Sequence, residues 1–181
     1  MGRPRKTKPK EVKEVKKAKE AKVVKEVEEV QEVQVFENLP DIIRKTVVII
    51  GHPQSGKTTY SAKLKEKFPY HTYISCDDFK NFPYDEALYE LKKAINKTTA
   101  KHLVIEGILG YRLLRKGLQY KDFNPEMVIR ITRAGIDYGD KTSKMQSFCK
   151  QLDTIWAEYI YLLESETEKP EIIEIKIGAE E

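Results

Sequence analysis

Cysteine, tryptophan and long apolar runs are what this chain has least of. It carries two cysteines, Cys76 and Cys149, and one tryptophan in 181 residues. An isolated cysteine pair with no signal-peptide pattern is not a disulfide framework, and predicts a reducing, cytoplasmic setting. No apolar run approaches the length of a membrane span, so no membrane partner is expected. One charge sign is missing locally. Glu26 to Asp41 holds acids at six positions and no Lys or Arg, whereas Met1 to Lys25 holds Lys or Arg at eleven and Glu at three. The net charge of +4 is too small to indicate a partner; its arrangement as a basic block followed by an acidic one says more.

Aromatics are also missing from the first 39 residues, apart from Phe36. Val12, Val15, Ala18, Ala21, Val24, Val27, Val30 and Val33 recur every third residue there, with Lys and Glu between them. A period of three winds around an α-helix by about 60° per turn, so it builds no fixed apolar face. Residues 1–39 therefore read as a solvated, low-complexity arm. The opening Gly2-Arg3-Pro4-Arg5 has the look of an AT-hook core, a short basic arm suited to the narrow minor groove of A·T-rich DNA. A lone hook predicts weak, salt-sensitive DNA contact, and a purely solubilising arm is the alternative.

Residues 40–181, roughly 140 positions, suit one globular domain. Strand and helix patterns alternate along them, which predicts a parallel α/β sheet. Strands are expected at Lys45–Ile50, His71–Ser75, His102–Glu106, Met127–Thr132 and Ile172–Ile177. Helices are expected after Thr59, over Tyr84–Asn96, over Ile108–Leu118 and over Lys144–Ser165. In the last helix Phe148, Leu152, Trp156, Tyr159 and Leu163 form an inward stripe.

Between the first strand and first helix stands Gly51-His52-Pro53-Gln54-Ser55-Gly56-Lys57-Thr58, a G-x-x-x-x-G-K-T sequence. That context makes the pattern a phosphate cradle. The two glycines are expected to take angles that a Cβ forbids. Backbone N–H groups from Gly51 through Gln54, Ser55, Gly56, Lys57, Thr58 and Thr59 would then face a polyphosphate at the positive end of a helix. Lys57 would reach the β- and γ-phosphates, and the Thr58 hydroxyl would ligate Mg²⁺.

Carboxylates stand at the ends of the next two strands. Asp77 and Asp78 follow the second; Asp77 is the expected general base and Asp78 a local, structural residue. Glu106 ends the third, where it would bind Mg²⁺ through water or touch the acceptor, and Gly107 leaves room beside it. Positive charge on the transferring group needs a second source besides Lys57. Arg133 to Lys144 is the expected lid, with Arg133, Lys141 and Lys144 as its cations. Lys80, Arg112 and Arg115 are placed to meet an acceptor, and Arg130 to leave one sheet face.

Gly51 to Thr59, with Asp77-Asp78-Phe79-Lys80, resembles phage-type polynucleotide kinases. Ile74 to Phe79, with Val104-Ile105-Glu106-Gly107, is similar to the uridine kinase and nicotinamide riboside kinase group. The resemblance spans roughly Lys45 to Ile177. It implies a P-loop NTPase three-layer fold whose five parallel strands run in order 2-3-1-4-5 between flanking helices. It implies ATP and Mg²⁺ as cofactors, with Lys57, Asp77 and Glu106 catalytic and Thr58, Asp77 and Glu106 around the metal. The implied activity is transfer of the γ-phosphoryl of ATP to a hydroxyl of a nucleoside or related small molecule. Alternatives are a polynucleotide 5′-hydroxyl kinase, a zeta-toxin-like kinase, and a non-catalytic, nucleic-acid-associated ATP-binding module. The chain departs from the pattern twice: Gln54 stands at a frequent glycine, expected to be tolerated, and lysines replace an arginine-rich lid. Oligomeric state is not legible in the sequence.

Overall fold

A computed structural model describes residues 38–43, 45–98 and 102–178. The arm, its AT-hook-like start and its period-three stripe lie outside the described residues. Contacts gather Leu39–Glu181 into one unit.

Its elements are β1 (Val47–Gly51), α1 (Lys57–Lys67), β2 (Thr72–Ser75), α2 (Tyr84–Lys97), β3 (Leu103–Glu106), α3 (Leu109–Tyr120), β4 (Met127–Arg133), α4 (Thr142–Leu163) and β5 (Glu171–Ile177). Short 3₁₀ turns, Cys76–Phe79 and Gly139–Lys141, precede α2 and α4. All strand pairings are parallel and the order is β2-β3-β1-β4-β5. The five-stranded sheet and its flanking helices are those the sequence leads one to expect.

The reason lies in strand composition. Every residue of β1 and β3 is buried, and β1 is apolar throughout. Such a run suits a strand covered on both faces. Burying each of its Val and Ile side chains contributes about 1.5–3 kcal/mol. At the edge, β5 places Glu171, Glu174 and Lys176 outward and buries Ile177. Charged side chains of this kind keep an edge from pairing with another chain. On one sheet face, Leu113, Leu114 and Leu118 of α3 pack with Leu152, Trp156, Tyr159 and Leu163 of α4 over Val48, Ile50 and Ile105. Gly110 lets α3 approach closely, since a Cβ there would meet the Ile50 side chain at 2.8 Å.

The register fixes where chemistry can occur. Ile49 pairs with Glu106, and Ser75 with Glu106. The carboxyl ends of β2 and β3 therefore finish level with Ile49, and β1 runs on to Gly51 at the same edge of the sheet. Ligands of open parallel sheets bind at that edge.

Candidate active site

The β1–α1 loop leaves Gly51 and re-enters helix at Lys57. Gly56 sits at the helix N-cap with φ 92°, a left-handed conformation suited to glycine. Gly51 is required for a different reason than expected: its φ is not positive, but a Cβ would lie 2.1 Å from the Ile131 carbonyl oxygen and 2.6 Å from Ser55 Oγ. The neighbouring strand, and not a backbone angle, excludes a side chain there. Gln54 corrects a second expectation. It takes φ 60°, so the non-glycine residue is strained and not simply accommodated.

Lys57 is nearly buried, and its Nζ donates to the His52 carbonyl at 2.8 Å. Glu106 is buried too, and Thr58 Oγ1 donates to its Oε1 at 3.4 Å. That distance is long for a hydroxyl–carboxylate bond. Glu106 Oε2 has no hydrogen-bond partner among the described residues, and neither has Ser55 Oγ. Burial pushes the Lys57 ammonium below its ordinary pKa, against the charges of Glu106 and Asp77. Burial likewise pushes the Glu106 carboxyl up, against the pull of Lys57 and the Thr58 hydroxyl. Lys57, Thr58, Glu106 and Asp77 thus form one electrostatic cluster at the strand ends.

The Asp77-Asp78 pair is freed from capping. Ser75 caps the 3₁₀ turn by accepting from the Asp77 backbone N–H at 3.3 Å. The two neighbours then line different cavities. Asp77 lines one of about 200 Å³, with Lys80, Arg112 and an apolar wall that includes Phe79, Phe82 and Phe148. Asp78 lines another of about 270 Å³, with Thr58, Ser61, Ser75 and Glu106. Asp78, expected to be structural, therefore faces the same space as the Thr58 hydroxyl.

The basic residues are less gathered. Arg112 lines the Asp77 cavity while Nη2 donates to Asp85 at 2.9 Å. Arg115 pairs with Glu158 of α4 instead. Arg133 is half-buried at the end of β4, and Lys141 and Lys144 are exposed beyond it. No hydrogen bond or ion pair described here brings Lys141 or Lys144 to Lys57. Sequence reasoning missed two ties on the loop: His52 Nε2 with Asp153 Oδ1 at 2.8 Å, and Tyr138 Oη donating to the Pro53 carbonyl at 3.1 Å. A histidine within the loop and a tyrosine between Gly135 and Gly139 of the β4–α4 connection were the available signals.

No protein-family model matches the sequence, and no curated protein does. Among solved structures, a thymidylate kinase from Candida albicans is similar at 13% identity, covering 73% of this chain and 84% of that one, with a TM-score of 0.44. At that identity the likeness says nothing of substrate. No helix among the described residues is long and apolar enough to cross a membrane.

Proposed function

We propose that the chain is an ATP-dependent kinase that moves the γ-phosphoryl group to a hydroxyl of a nucleoside or related small molecule. The observation that carries this reading is the cluster of Lys57, Thr58 and Glu106 at the mouth of a glycine-bounded loop, electrostatically joined to Asp77 in an adjoining pocket. Gly51 to Thr59 supply backbone N–H groups and the start of α1 for the phosphates. In the transfer, the acceptor oxygen bonds to the γ-phosphorus, the bond to the ADP bridging oxygen breaks, and Asp77 takes the hydroxyl proton.

The donors present suit Mg²⁺. The unpartnered Glu106 Oε2 and the slack Thr58–Glu106 contact leave room for a hydrated ion. Among the described residues no three His, Cys, Asp or Glu gather as a metal cage, which agrees with an ion that keeps water and takes one or two carboxylates. Thr58 and Glu106 would hold it, with Asp78 lining the same cavity; Asp77, expected from the sequence at the metal, lines the other cavity and is left to the hydroxyl proton. When bound, Mg²⁺ would neutralise charge between the β- and γ-phosphates.

Lys57 bears on the transferring oxygens, and Lys141, Lys144 and Arg133 are the lid cations that would join it. The phenyl rings of the Asp77 cavity favour a flat apolar group on the acceptor. A second reading rests on Lys80, exposed beside Asp77 at that cavity: it would suit a hydroxyl with a phosphate close by, as at a nucleic acid 5′ end. Incubation with γ-labelled ATP tests both. Label on uridine, cytidine or nicotinamide riboside supports the first, and label on 5′-hydroxyl oligonucleotides the second. Slow hydrolysis with neither labelled would overturn both and leave an ATP-binding module.

A further inference from the structure

The phosphate loop is held from outside by a side-chain chain that the transfer reaction does not use. Asp153, midway along α4, presents one oxygen, Oδ1, to two donors. His52 Nε2 lies 2.8 Å from it and Arg130 Nη2 lies 2.6 Å from it. Arg130 also donates through Nη1 to Glu174 Oε1, on the edge strand β5, at 3.1 Å. Glu174 Oε1 also accepts from Trp156 Nε1 at 3.1 Å, and the Arg130 guanidinium lies over the Trp156 ring. The side chains of His52 and Arg130 are 15% and 13% exposed, so both are held between elements and not in open solvent.

His52 matters because of its own backbone. Its carbonyl accepts from Lys57 Nζ at 2.8 Å and from the Ser55 N–H at 3.2 Å. The ring is therefore anchored to α4 while the peptide group of the same residue sets the loop and receives the lysine. The next residue, Pro53, accepts from Tyr138 in the connection that leads into α4. One limb of the loop, His52-Pro53, is thus tied twice to the segment Tyr138–Asp153.

We infer that Asp153 is a positioning residue for nucleotide binding, acting through His52 to fix the phosphate loop relative to α4. The inference rests on the kinase reading only as far as the loop binding a nucleotide. Loop N–H groups bind phosphate well only when pre-aimed, and a tethered limb removes orientations that would otherwise have to be lost on binding. Asp153 lines neither the Asp77 cavity nor the Thr58–Glu106 cavity; its effect passes through the His52 ring.

A double-mutant cycle in the full-length protein tests this, with calorimetric titration of a non-hydrolysable ATP analogue plus Mg²⁺ as the probe. His52→Ala and Asp153→Ala should each weaken binding about tenfold, and the double variant should be no weaker than either single variant. Where Asp153→Ala does not fold, Asp153→Asn takes its place in the cycle, and thermal denaturation of each variant confirms a folded sample. A residue that served only to brace Arg130 would change melting temperature and leave affinity alone. Unchanged affinity in Asp153→Ala, or effects that multiply in the double variant, overturns the inference while the nucleotide reading stands. Failure of the unmutated protein to bind the analogue removes both.

Discussion

Lys57 Nζ rests on the His52 carbonyl, 2.8 Å away, five residues back along its own loop. The ammonium is nearly buried, and that burial lowers its pKa. It is held by a neutral oxygen that a phosphate could replace with a charged one. The ammonium already makes that bond charge-assisted; a phosphate oxygen would add a charge–charge attraction that the carbonyl lacks, so the exchange favours nucleotide binding. Lys57→Ala is expected to cut transfer by roughly 10²–10³-fold or more, because a preorganised charge on the transferring oxygens is lost. Single-turnover assays with γ-labelled ATP measure it. Transfer within a factor of three of the unmutated protein would remove Lys57 from the mechanism.

Asp77→Asn keeps the size of the side chain and removes its basicity. Turnover should fall by roughly 10²–10⁴-fold. Nucleotide affinity should change far less, since Asp77 lines the pocket with Lys80 and Arg112. Asp78→Asn serves as its comparison, because Asp78 faces the Thr58–Glu106 cavity. Its expected effect is on the Mg²⁺ concentration needed for half-maximal rate. Equal losses of turnover in both variants at saturating Mg²⁺ would show that the two cavities do not divide the work.

The strand positions and the phosphate-loop pattern were legible because they are local signals, whereas the strand order came only from the resemblance to phosphate-loop kinases. Val47 to Ile50 is a continuous apolar run, and the glycine spacing follows at once. The Asp pair and Glu106 were legible because parallel strands all end on one side. What sequence could not show is which neighbour in space takes up a side chain. Asp77 could have capped its own turn, but Ser75 does so. Arg112 and Arg115 share a helix turn, yet one meets Asp85 and the other Glu158. His52 meets Asp153 across 101 positions of chain, a pairing that no local pattern encodes. Gly51 was read correctly as obligatory and for the wrong reason, because the crowding atom belongs to β4.

Gln54 offers a test of stability apart from catalysis. Its φ of 60° is left-handed, where a Cβ costs about 1–2 kcal/mol and glycine costs little. Glycine also loosens the unfolded chain, which offsets about 0.4–1 kcal/mol of that gain. Gln54→Gly should therefore stabilise the fold by about 0.5–1 kcal/mol in urea unfolding. Gln54→Val should destabilise it, since a β-branched residue tolerates that region worst. A clear loss of stability in Gln54→Gly would mean that the exposed glutamine side chain makes a stabilising contact.

The pH dependence of stability isolates Glu106. Burial raises its folded pKa above the ordinary 4.5, with Lys57 opposing. A group with a raised folded pKa binds more protons folded than unfolded. Its stabilising contribution is complete below pH 4.5 and is lost as pH rises through the folded value. Glu106→Gln has no carboxyl to ionise and escapes that loss. The variant should therefore gain stability relative to the unmutated protein between pH 4.5 and neutrality, while losing transfer activity. Urea unfolding of both proteins across this range gives the difference directly. If the difference runs the other way, attraction to Lys57 outweighs burial at Glu106. The carboxylate would then be a structural ion-pair partner, and its place beside Mg²⁺ would lose its electrostatic support.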